Sequence, residues 1–153
     1  MNDYEIALTL EAETVAHRRY LHKNAEVGLD MPKAVSYVMA QLEKAGLQPE
    51  TCGHGVTAQL GQGGKTLLLR ADMDALPMPG LSFYPGASAS ASEDFAVIAE
   101  AVPSAFLYLS AGFQDERGAY PAHNPKVRFN EAVCPIGVAS LVHCAKRWLE
   151  DNA

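Results

Sequence analysis

Arg70, Asp72 and Asp74 are alternate residues at the end of an apolar run, in TLLLRADMDALPM. In extended backbone, alternate residues share one face, so a cation and two carboxylates would be presented together at a strand end. Carboxylates so placed suit holding a divalent cation or orienting one of its ligands. The ordinary alternative is a local Arg70–Asp72 ion pair with no catalytic task. Cys52-Gly53-His54-Gly55 sets a thiol and an imidazole, both metal-ligand types, two residues apart. The glycines flanking His54 read instead as a turn before a strand. Glu93-Asp94 follows Ser90-Ala91-Ser92, with Ser90 as N-cap and Glu93 at the capping-box position. Capping and the helix dipole account for both carboxylates.

These residues need elements to hold them. Residues 3–23 have helical composition, with Ile6, Leu10, His17 and Leu21 on one side. Over 32–45, Val35, Val38, Met39 and Leu42 recur at helical spacing between Pro32 and Gly46. Gly55–Leu60 reads as a short strand, and Gly61-Gln62-Gly63-Gly64 as a turn. Thr66–Ala71, with its run Leu67-Leu68-Leu69, and Ala105–Leu109 read as apolar strands buried on both faces. Between them the spacing predicts a helix over 91–102. The last twenty residues carry Val138, Leu141, Val142, Ala145, Trp148 and Leu149 on one stripe. Strands alternating with helices imply an α/β fold, a three-layer domain with a mostly parallel central sheet.

At 153 residues, with 48% hydrophobic and 20% charged residues, the composition is that of one globular domain. The net charge of −6, with no basic cluster beyond Arg18-Arg19, argues against nucleic acid. No apolar run reaches membrane-spanning length, and the acidic N-terminus is unlike a signal peptide. Cys52, Cys134 and Cys144 are too few and too scattered for a disulfide framework. The expectation is a soluble cytoplasmic protein.

Five stretches, in order, carry a resemblance: RRYLHKNAEVGL, GVTAQLG, LLLRADMDALPM, SEDFA and GAYPAHNPKVRFNEAVCPIGVASLV. Together they resemble the M20 peptidase family, closest to its amidohydrolase branch of hippurate hydrolases and N-acyl-amino-acid deacylases. The resemblance implies a zinc-peptidase-like catalytic domain in which two divalent metal ions, zinc or manganese, polarise an amide carbonyl and activate water. It also implies a glutamate base and an inserted lid domain that makes dimer contacts.

The resemblance makes His123, in AYPAHNP, a metal ligand. It makes Asp72 the acidic residue supporting the site, with Arg70 and Asp74 beside it. It leaves His17 and His22 outside the ligand set. The chain departs from the family after LPM. The His-Ala-Cys-Gly-His-Asp motif, the Glu-Glu pair that supplies the base, and the lid have no counterpart before SEDFA. The whole chain, 1–153, is thus expected to be one cut-down catalytic domain, with parts 1–78 and 93–153 meeting at a junction over 79–92. Its reaction would be hydrolysis of N-acyl amino acids, impaired by the missing ligands and base. The alternative is a non-catalytic module binding a small N-acyl amino acid, or a minimal structural core. Without a lid, the chain is expected to be a monomer or a dimer through another surface.

Overall fold

The computed structural model describes residues 1–73, 95–107, 109–121 and 124–153. The chain divides into two units, Met1–Pro77 with Asn130–Ala153, and Met78–Phe129.

In the first unit, local signals start and stop each helix. Helix α1 (Asp3–Thr9) opens on a reciprocal capping box. The Asn2 side chain accepts from the Glu5 amide at 2.9 Å, and the Glu5 carboxylate accepts from the Asn2 amide at 2.8 Å. Residues 3–23 do not form one continuous helix. The Leu10 amide donates to the Ala7 carbonyl, a tightened last turn, and Leu10 leaves helical geometry at φ −98°, ψ 2°. Helix α2 (Glu11–Lys23) then begins, with Glu11 and Glu13 in its first turn and His22 and Lys23 in its last, complementing the dipole.

Helix α3 (Pro32–Lys44) has proline in its first turn, as the sequence predicts. Its cap comes from a distance: the Glu26 carboxylate accepts from the Lys33 and Ala34 amides, each at 3.0 Å. Gly46 ends it at φ 82°, while the Leu47 amide donates back to the Leu42 carbonyl at 3.0 Å. Strands β1 (Glu50–Cys52) and β2 (Gly55–Thr57) pair antiparallel, with Glu50 opposite Thr57 and Cys52 opposite Gly55. A 3₁₀ turn over Glu131–Val133 leads into the closing helix, Cys134–Asp151, against which α1 and α2 pack. Among the described residues, the buried ones are Ala7, Met31, Ala34 and Pro135.

In the second unit, helix α4 (Phe95–Ala101) sets the Phe95 ring 5.5 Å from that of Phe106. A 3₁₀ turn follows over Glu116–Gly118. The closing helix of the first unit is α5. The capping box at Ser90 and Glu93, and the junction over 79–92, lie outside the described residues.

The three-layer α/β architecture is not what the chain adopts. The described residues are rich in helix, and their strands form one two-stranded antiparallel sheet rather than a parallel central one. Residues 66–71, 105–107 and 109 make no strand. Leu68 and Leu107 are 67% and 59% exposed, and Leu69, Phe106 and Leu109 are exposed as well. The reason is physical. A strand buried on both faces exists only inside a ladder, and parallel neighbours arrive through crossovers of a dozen or more residues. An apolar run encodes the need for such neighbours without supplying them. The stripe on α5 shows the same effect, since Leu141, Val142 and Leu149 are exposed while Val138, Ala145 and Trp148 are half-buried.

Candidate functional site

Of the four residues expected at the site, Arg70 and Asp72 are described, whereas Asp74 and His123 lie outside the described residues. Arg70 Nη2 stands 2.5 Å from Asp72 Oδ1, with Asp72 largely exposed and Arg70 mostly covered. Their two-residue spacing thus yields a charge-assisted pair without a regular strand beneath it. The Asp72 carboxylate is already engaged by a guanidinium that competes for its lone pairs.

Cys52 and His54 occupy a hairpin. Cys52 ends β1, Gly53 turns the chain at φ 58°, and Gly55 begins β2. A two-residue hairpin loop needs positive φ, which glycine supplies without strain. Among the described residues, no three His, Cys, Asp or Glu side chains gather as a metal site would require.

The structure assembles charged clusters that the sequence does not reveal. Glu131, at the entry to α5, receives two adjacent arginines of α2. Arg18 Nε donates to Oε1 at 2.6 Å, and Arg19 Nη2 donates to Oε2 at 2.6 Å. The Glu131 side chain is 19% exposed. The hydrogen bonds from Arg19 and then Arg18 hold its pKa down at about 2. Lys146 and His143 of α5 both reach Asp3 of α1, and the Lys146 bond lowers the Asp3 pKa. His17 links α2 to α3, its Nδ1 lying 2.8 Å from the Tyr37 hydroxyl, while Tyr37 stacks on Tyr20 at 3.8 Å. These pairs join helices and fix how they pack.

In the second unit, Asp115 accepts two parallel bonds from the Arg117 guanidinium, at 2.6 and 2.9 Å, and one from the Arg117 amide. The bonds from the Arg117 side chain, and then the one from its amide, hold the Asp115 pKa down at about 2. Arg117 also lies 3.9 Å over the Phe113 ring. Gly118 turns so closely that a Cβ there would stand 2.1 Å from the Phe113 carbonyl oxygen. Beside this turn lies an open cleft of about 530 Å³ lined by Glu116, Arg117, Tyr120, Lys126, Val127 and Arg128, with Pro125 at its edge.

No family model matches the chain, and no solved structure does. A stretch of 87 residues, 57% of the chain, is 33% identical to a probable hydrolase of Synechocystis sp.. The match spans 22% of that relative's length. The likeness is to a hydrolase, at that general level. Among the described residues, no helix is long and apolar enough to cross a membrane.

Proposed function

We propose that the chain carries part of an M20-type, metal-dependent amidohydrolase and that it does not by itself hydrolyse N-acyl amino acids. The family reading is supported by the five ordered M20-like stretches and agrees with the 87-residue likeness to a probable hydrolase. The observation that carries the inactive reading is the Arg70–Asp72 pair. The carboxylate expected to support the metal site is bonded to a guanidinium at 2.5 Å.

Amide hydrolysis through a metal-bound water needs a ligand set, a base to take the proton, and stabilisation of the tetrahedral intermediate. Of the family's ligands only His123 is left for zinc or manganese, with Asp72 and Asp74 as supporting carboxylates, and no glutamate stands in the sequence context of the base. A divalent ion held by so few groups lacks the geometry of a two-metal mechanism.

The test is an assay of the purified chain with zinc, manganese or cobalt against hippurate and N-acetyl amino acids, alongside His123→Ala. The expected result is no turnover above the metal-only blank for either protein. Turnover that disappears in His123→Ala would overturn the inactive reading.

A further inference from the structure

We propose that the cleft between the Asp115–Gly118 turn and the Asn124–Arg128 turn binds a small carboxylate with a flat apolar body. Both walls are set by local bonds. On one side, Asp115 and the Phe113 ring hold Arg117 in place, and the close approach of Gly118 to the Phe113 carbonyl fixes the turn. On the other, the Asn124 side chain accepts from the Lys126 amide at 2.9 Å, and the Val127 amide donates to the Asn124 carbonyl at 2.9 Å. The backbone carrying Lys126 and Arg128 is thereby positioned before any ligand arrives.

Charge and shape then select the ligand. Arg117 is satisfied by Asp115, whereas neither Lys126 nor Arg128 has a carboxylate partner among the described residues. Lys126 Nζ sits 5.5 Å from the centre of the Tyr120 ring, so a cation and an aromatic wall adjoin in one space. Val127 and Pro125 extend the apolar lining. Two cations beside an aromatic surface match a carboxylate attached to an aromatic or acyl group. A volume of about 530 Å³ lies within the range of small-molecule sites. Glu116 in the same lining disfavours multiply charged anions. A local site of this sign stands out on a chain of net charge −6.

The choice of hippurate as one probe rests on the amidohydrolase reading; benzoate tests the cleft alone. The full chain, without added metal, is titrated with benzoate, hippurate, benzamide and inorganic phosphate by chemical-shift perturbation at low salt. Benzoate and hippurate should shift resonances of Tyr120 and Val127. Lys126→Ala/Arg128→Ala should weaken both by about tenfold or more, as expected for losing charge-assisted bonds. Lys126→Arg should retain binding, and so should Lys44→Ala on α3. An unchanged circular-dichroism spectrum shows that the double variant is folded. Benzoate binding that survives the double variant, benzamide or phosphate binding as tightly, or no benzoate binding would each overturn the site. Benzoate binding with no hippurate binding would leave the cleft standing and count against the substrate class of the amidohydrolase reading.

Discussion

Replacing Glu131 by glutamine removes the charge that Arg18 and Arg19 share while keeping nearly the same shape. Glu131 has an ordinary pKa of 4.5, lowered in the folded chain to about 2 by hydrogen bonds from Arg19 and Arg18. As pH falls from neutral, the unfolded chain takes up this proton first. The contribution of Glu131 to stability is therefore complete above about pH 4.5 and is lost as pH falls through about 2. Glutamine has no such titration. The difference between the two proteins should be full at neutral pH and shrink across a window of roughly two and a half pH units (4.5 − 2). Asp3 also titrates with a lowered pKa, but it does so in both proteins and cancels from the difference.

The assay is the urea midpoint of each protein, measured from neutral pH down to the acid limit. The wild-type chain should unfold at higher urea at neutral pH, and the midpoints should converge in acid. Added salt should narrow the neutral-pH gap, because Arg19 is 67% exposed. Equal midpoints at neutral pH would show that the arginines and Glu131 add nothing. A gap undiminished in acid would show that the substitution acts through packing rather than charge. Either result refutes the electrostatic argument.

Two substitutions probe backbone geometry. Gly46→Ala keeps φ near 82° with nothing within 4 Å of the new methyl, so its cost is conformational strain. It should lower stability by about 1 kcal/mol, read from the same urea titration. At Gly118 the obstacle is a backbone carbonyl rather than open space. Gly118→Ala should displace the turn, weaken the Arg117–Phe113 stack and reduce benzoate binding, while leaving the helical circular-dichroism signal near wild type. Unchanged binding by Gly118→Ala would show that this turn does not shape the cleft.

Features written in neighbouring residues were legible in the sequence. Pro32 and Gly46 bracket α3, whose observed limits are Pro32–Lys44. Gly53 and Gly55 mark the hairpin turn that the Cys-His spacing alone would have made a metal candidate. The break at Leu10 was not legible, because it depends on which carbonyl each amide chooses: Leu10 to Ala7 on one side, Thr14 to Leu10 on the other. The runs at 66–71 and 105–109 misled for a different reason. Hydrophobicity records that a segment would be stable under cover, whereas a strand also requires an edge to pair with, supplied from elsewhere in the chain.

The same distinction separates two ion pairs. Arg70 and Asp72 are two residues apart, so any extended backbone brings their side chains to one face, and the pair forms even where no sheet does. Arg18 and Glu131 are 113 residues apart, and nothing near either announces the other. Glu131 looks like an ordinary acidic residue at a helix entrance, and Arg18-Arg19 like solvated charge. They meet because α2 packs against α5, an arrangement set by the tertiary fold. Sequence spacing therefore identifies the acid most readily paired with a neighbour. Tertiary packing identifies the acid that ties the helices together. Asp72 is largely exposed, while Glu131 is 19% exposed and held by two guanidinium groups. Loss of Glu131 should therefore disturb the helical unit more than loss of Asp72, and urea midpoints of Glu131→Gln and Asp72→Asn compare them directly. A larger shift for Asp72→Asn would mean that the exposed pair, and not the interhelical one, secures this unit.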